Sequence, residues 1–297
     1  MPLRKVRKDR ARLVENAEYE RVYEDRDNYI IKEAPLYTKQ KNGKIAPAPG
    51  RFIAVFHKDL AGEYPVFEGI VSDRYKIVLF KDLEKIAVKA LEKNGYKLAG
   101  EPERVDINEL VIPTEYELEK GLRAEIGITN SYDTKETVGF KLYVNDGERR
   151  YPAGVITKRK HFGSVNEESK EIMEEAVKEM SKHLTLFKTL WNSMVDINEL
   201  SIWKDIKRER VQRLKREDGS SEPIVYTEYP LEQVKEALLK EFPNGSVPFK
   251  EMWKRILSYA QGERRKTVRE EILDRMHRQI EPLLKVFKEA KVKALKV

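Results

Sequence analysis

Residues 137–157 read TVGFKLYVNDGERRYPAGVIT. Two runs rich in strand-forming residues flank Asn145-Asp146-Gly147, and the Asp-Gly pair suits the positive φ angles of a tight hairpin turn. An antiparallel pair in mid-chain implies a sheet, and further strand patterns lie upstream at 51–57 (RFIAVFH), 65–72 (PVFEGIVS), 74–80 (RYKIVLF), 105–112 and 122–129. Downstream of His161 the apolar period changes. Ile172, Ala176, Met180, Leu184, Phe187, Trp191 and Met194 recur at steps of three or four, which predicts one long amphipathic helix over 165–195. Ser164 and Glu167 have the spacing of a capping box at its start.

Other elements follow from the same rules. Leu83, Ile86, Ala87, Ala90 and Leu91 form an apolar face over 81–94, with Asp82 as the expected N-cap and Asn94-Gly95 as the stop. Helices are expected near 230–242 and 248–260, and a last one over 266–290, bent at Pro282 where an amide donor is missing. Segments 39–50 (KQKNGKIAPAPG) and 213–223 (RLKREDGSSEP) read as loops, and Leu13–Arg26 is compatible with a helix. The fold class is therefore α+β, a strand-rich N-terminal part followed by a helical C-terminal part. The expected organisation is a basic extension and loop over 1–50, a strand-rich α+β domain over 51–160, and a helical region over 161–297 that could share its core.

Composition narrows the function classes. The chain has 297 residues, 58 Lys and Arg against 51 Asp and Glu, and a formal net charge of +7. Charged residues make up 37%, against about 25% in an average globular chain. There is no cysteine, which excludes disulfides, thiolate zinc sites, iron–sulfur clusters and cysteine nucleophiles. No apolar run approaches the ~20 residues of a membrane span, and residues 1–8 (MPLRKVRK) lack the apolar core of a signal peptide. The expectation is a cytoplasmic protein without membrane contact. Abundant Lys and Glu with only five Gln point to a thermophilic source, where ion-pair networks cost less desolvation.

Catalytic signatures are sparse. His57, His161, His183 and His277 show no metal-ligand spacing, so no metal is expected. His183 lies near the apolar stripe of 165–195 and reads as an interior residue rather than a ligand. No Gly-x-Ser-x-Gly elbow, Walker loop or dinucleotide glycine pattern occurs, so no nucleotide cofactor is expected. A Mg²⁺-dependent nuclease is the enzyme alternative. Asp133-Thr134-Lys135 has acid-x-Lys spacing, with Asp73, Asp106 or Glu125 as a second carboxylate. That spacing arises freely by chance in so charged a chain, and Asn130–Asp133 also reads as a turn closed by its own side chains.

Basic clusters carry more weight. Arg4, Lys5, Arg7, Lys8, Arg10 and Arg12 face only Asp9; Lys158, Arg159 and Lys160 adjoin His161. Residues 204–218 hold seven basic against four acidic residues, including Lys207 and Arg208, and 254–278 hold eight against four, including Arg264, Arg265 and Lys266. Such clusters neutralise phosphates and release counterions, giving sequence-independent affinity for nucleic acid, with DNA favoured. Phe162, Trp203 and Tyr259 lie nearby as candidate stacking faces. A third possibility is a homo-oligomeric structural or adaptor protein, built by pairing the helices at 165–195 and 266–290 between copies.

Three segments in this order carry a family resemblance: Gly69-Ile70-Val71-Ser72-Asp73-Arg74-Tyr75, Ile128-Thr129-Asn130-Ser131-Tyr132-Asp133 and Lys160-His161-Phe162-Gly163-Ser164-Val165. The order resembles the phage- and plasmid-borne proteins grouped as a domain of unknown function, whose members carry the label phage/plasmid-like protein. The similarity covers roughly 65–195, with a looser echo over Trp253–Ala260. Where that pattern has Cys-x-Asn-Gly, this chain has Tyr151-Pro152-Ala153-Gly154, so only the glycine is kept and no role of the Cys or Asn transfers. The resemblance implies a virus, a plasmid or an integrated element as context, archaeal given the composition. It implies no reaction and no cofactor.

Overall fold

The computed structural model describes residues 21–25, 30–35, 37–39, 45–47, 52–58, 66–72, 77–106, 108–130, 138–159, 165–215 and 221–294. Strands β1 (Arg21–Glu24), β2 (Ile30–Pro35), β5 (Phe52–Lys58) and β6 (Val66–Ser72) form an antiparallel sheet in that order. Between β2 and β5, the short β3 (Tyr37–Lys39) and β4 (Ile45–Pro47) pair as a hairpin. Helix α1 (Phe80–Lys93) follows. Then β7 (Glu103–Asp106), β8 (Glu109–Glu119), β9 (Leu122–Thr129), β10 (Val138–Asn145) and β11 (Arg150–Arg159) build a five-stranded antiparallel meander, each strand beside its chain neighbour.

The second half is helical. Helix α2 (Val165–Trp191) leads to β12 (Met194–Asp196), α3 (Ile202–Asp205) and a two-stranded ribbon of β13 (Arg208–Lys215) and β14 (Ser221–Glu228). Helix α4 (Glu232–Glu241), β15 (Ser246–Pro248, paired with β12), α5 (Phe249–Gly262) and α6 (Lys266–Ala294) complete the described chain. The fold is α+β. None of the described helices is long and apolar enough to cross a membrane.

Period-two alternation explains how the meander packs. In β10, Val138, Phe140, Leu142 and Val144 are buried on one face. Tyr151, opposite Val144 in the register, meets the Trp191 ring of α2 edge-on at 5.1 Å, so α2 covers this apolar face. Its own stripe of Ile172, Ala176, Met180, Leu184 and Phe187 is buried there. Helix α6 packs along β11, where Ile272, Met276 and Ile280 are buried. The Trp253 indole N–H of α5 donates to the Pro152 carbonyl at 2.8 Å, tying α5 to β11. One hydrophobic cluster runs from Ile31 to Leu283.

Several expectations need correction. The strand expected over 74–80 is absent where described: Ile77–Leu79 are not strand and Phe80 opens α1. Val78 and Phe80 are fully enclosed, so their apolarity reflects burial at a helix entry rather than a sheet. Asp82 does not cap α1 but sits in its first turn. The cap comes from Asp25 at the end of β1, whose carboxylate accepts the Phe80 and Lys81 N–H groups at 3.0 and 2.9 Å. The strand expected over 105–112 is two strands, with a turn between Asp106 and Glu109. Segment 213–223 is mostly ribbon, part of 39–50 is the β3–β4 hairpin, and Arg21–Glu24 of the stretch compatible with a helix is strand. In each case strand pairing overrides turn-rich or charged composition. The helix expected over 165–195 is found as α2 but ends at Trp191, with Met194 of the expected apolar repeat exposed in β12. The one over 266–290 is found as α6, with Pro282 inside it. Ser164, the expected cap of α2, lies outside the described residues.

Candidate nucleic-acid interface

One end of the meander sets residues from every strand side by side, polar on four of the five. The registers Asp106↔Glu109, Glu109↔Thr129, Thr129↔Gly139 and Gly139↔Lys158 place these five residues in a single row across the sheet. Four strand spacings of about 4.8 Å make the row roughly 19 Å wide. Glu109 is held on both oxygens: the Tyr143 hydroxyl donates to Oε1, and Lys141 Nζ lies 3.2 Å from Oε2. Burial pushes the Tyr143 phenol well above its usual range, and the Glu109 charge adds to the effect. Gly127 leaves the space this pair occupies, since a Cβ there would lie 2.6 Å from the Tyr143 ring. His277 of α6 meets the Tyr143 ring edge-on at 4.6 Å, with Nδ1 2.9 Å from the Gly154 carbonyl. A carbonyl only accepts, so Nδ1 carries the proton.

The other carboxylates of this face are structural. Glu125 is buried, accepts from Asn145 Nδ2 at 2.8 Å, and pairs with Arg150, which also reaches Glu103 at 3.3 Å. Burial opposes the Arg150 charge, but Glu125 and Glu103 outweigh it and raise its pKa. Asp106 pairs with Lys266 at 3.1 Å. Of the three suggested second carboxylates, Asp106 and Glu125 are therefore engaged in ion pairs, and Asp73 lies outside the described residues. Among the described residues, no three His, Asp or Glu side chains converge to hold a metal ion.

These ion pairs also gather the basic clusters. The Lys266–Asp106 pair brings the first residue of α6 to the β7 edge of the row, while Lys158 and Arg159 end β11 at its opposite edge. Arg208 Nη2 lies 2.6 Å from Glu263 Oε2, which joins the start of the ribbon to the α5–α6 turn. The Arg265 N–H and Arg208 both hold the Glu263 carboxyl below its ordinary pKa. Lys207, Arg264 and Arg265 are exposed, without an ion-pair partner among the described residues. Arg264, Arg265 and Lys266 crowd the N-terminal end of a 29-residue helix with no acid in its first turn. The helix dipole is positive there, so a cation without an acidic partner costs about 0.3–1 kcal/mol.

The residues singled out by sequence divide clearly. Lys207, Arg208, Arg264, Arg265 and Lys266 come together, with Lys158 and Arg159 at the same sheet end. Arg208 is 9% exposed and acts as a tether rather than an open cation. Trp203 is 1% exposed and donates its indole N–H to the Ile197 carbonyl at 2.6 Å, so it offers no stacking face. Arg4, Lys5, Arg7, Lys8, Asp73, Asp133, Lys135, Lys160 and His161 lie outside the described residues, as does Phe162. Asn130 of the second resemblance motif donates from Nδ2 to the Val78 carbonyl at 2.8 Å and from its backbone N–H to the Asn108 carbonyl.

Glu263, Asp106, Asp25 and Glu109 organise this region, and no local sequence pattern points to their partners. Their partners lie 55, 160, 55 and 34 positions away, beyond any local pattern. No family model, curated protein or solved structure matches this chain.

Proposed function

We propose that the protein binds nucleic acid, DNA in the first instance, through sequence-independent phosphate contacts at this end of the sheet. One observation carries the reading. The Arg208–Glu263 and Lys266–Asp106 pairs bring two distant basic stretches, 207–208 and 264–266, to the end of the meander at which β11 closes with Lys158 and Arg159. Cations at the positive end of α6 oppose its stability, which is the pattern expected where positive potential serves an anionic partner. The motif resemblance supports placing the protein on a virus or plasmid, serving replication, recombination or packaging.

Fluorescence anisotropy with labelled single- and double-stranded DNA and RNA, titrated over salt, tests the reading. Affinity should fall steeply with salt. Replacing Lys207, Arg264 and Arg265 by Gln should flatten the log–log slope by about 2.7, at about 0.9 for each phosphate no longer neutralised. Salt-insensitive binding, or none, would sink the proposal.

A further inference from the structure

The β13–β14 ribbon runs from Arg208↔Glu228 to Lys215↔Ser221 without a register shift, and no other strand extends it among the described residues. On β14, Val225, Tyr226 and Thr227 are all exposed. Successive side chains of a strand point to opposite faces, so both faces of the ribbon are open along this stretch. A two-stranded ribbon left alone in water is marginally stable, and further strands steady it.

Its two edges differ in what they admit. Pro223 has no N–H, so Arg213↔Pro223 is a non-hydrogen-bonded pair and the backbone of Pro223 faces away from β13. The alternation is unbroken, so the N–H and C=O groups of Val225 and Thr227 face away from β13 as well. Natural sheets guard such free edges with charge. β13 has five charged residues in eight, whereas residues 223–227 of β14 (PIVYT) have none, in a chain that is 37% charged. The β14 edge is the unguarded one.

We propose that this edge pairs with the β14 edge of a second copy of the chain, antiparallel about a twofold axis at Tyr226. Centred there, Val225 lies opposite Thr227 of the second copy, and the two exchange both of their outward hydrogen bonds. Tyr226 meets Tyr226 of the second copy on one face of the sheet, and Val225 meets Thr227 on the other. Pro223, with no amide to give, falls outside these central pairs. Glu228 comes opposite Ile224, and no acid lies opposite an acid. The product is a four-stranded sheet whose two outer edges are the charged β13 strands, so the assembly closes at two copies. This stands apart from the phosphate-binding reading.

Sedimentation velocity of the full chain, freed of nucleic acid and run over a range of concentrations, tests the pairing. The parent should pass from monomer to dimer and stop there. Val225→Pro removes an outward amide without touching the ladder to β13, and Tyr226→Lys sets two like charges against each other at the axis. Both should lose the dimer while keeping the parental circular dichroism; should Val225→Pro fail that check, Tyr226→Lys decides alone. The chain has no cysteine, so one introduced thiol reports on proximity. Opposed residues of a non-hydrogen-bonded pair lie about 4.5 Å apart at Cα, within reach of a disulfide. Oxidised Tyr226→Cys should therefore run as a covalent dimer, and Glu209→Cys, exposed on β13, should not. A parent that stays monomeric, a dimer that survives the substitutions, an open-ended series of oligomers, or cross-linking at 209 in place of 226 would each overturn the proposal.

Discussion

Gly127 shows how one residue shapes the polar face of the sheet. An added Cβ would meet the Tyr143 ring at 2.6 Å and Glu109 Oε1 at 2.8 Å, and each of these neighbours is held by the other. Gly127→Ala should therefore destabilise the protein by about 1–3 kcal/mol, the usual cost of overpacking. Urea unfolding with an unchanged m-value would show it, and an unchanged midpoint would mean that the cluster relaxes freely. His183 on α2 gives a pH-dependent case. Burial holds its pKa below the ordinary 6.5, Lys182 helps, and Glu179 and Glu281 oppose. A base with a depressed folded pKa takes its proton more readily when unfolded, so stability is full above about 6.5 and is lost as pH falls below it. Melting scans from neutral to mildly acidic pH should show a fall in Tm that is smaller in His183→Gln; equal falls would show that this imidazole is not linked to folding. Among the histidines whose burial is described, His277 is fully buried with a hydrogen bond, whereas His183, the one whose position suggests an interior role, is only half-buried.

At the scale of elements, α6 sets binding against stability. Its leading cations Arg264, Arg265 and Lys266 meet the positive end of the helix dipole, with Lys266 offset by Asp106 and Glu270 and Arg265 in part by Glu263. Replacing Arg264 and Arg265 by Gln should raise stability by about 0.3–1 kcal/mol per residue while weakening nucleic-acid binding. Opposite signs in a melting curve and a binding titration of one variant would mark these residues as functional; a loss of stability would mark them as structural. The long helices are legible in the sequence because their apolar period is sustained over many turns: the repeat from Ile172 to Trp191 lies in α2, and only its last member, Met194, falls beyond the helix in β12. The hairpin at Asn145-Asp146-Gly147 is legible for a local reason as well, since Asp146 accepts the Glu148 and Arg149 N–H groups at 3.0 and 2.8 Å. The ribbon is not. Its strands mix charge with Pro223 and flank a turn-rich stretch, and composition alone cannot tell a solvated hairpin from a loop. The start of α1 escapes a local reading because its cap, Asp25, stands 55 residues upstream.

For the whole molecule, the meander and the helices have no separate interiors among the described residues. The hydrophobic cluster takes in Ile31 and Val55 of the first sheet, the apolar face of the meander, and Trp203, Trp253 and Ile280 of the helical half. Two links lock the first sheet and the last helices onto the same body. Asp25 joins β1 to α1 and to Arg104 of β7, with the Arg104 guanidinium 4.6 Å above the Phe80 ring. Trp253 reaches Pro152 across 101 positions of sequence. Neither half buries its apolar surface without the other, so the expected boundary near residue 160 should not divide cooperative units. All three tryptophans lie in the helical half, so their fluorescence reports on it, while hydrogen exchange of β8 to β10 reports on the meander. Under denaturant the two should change together, with one free energy, as two-state unfolding requires. If the β8–β10 amides stay protected after the tryptophans are exposed, the sheet folds alone. The proposed interface would then lie between two units, because Asp106 and Lys266 would belong to different ones.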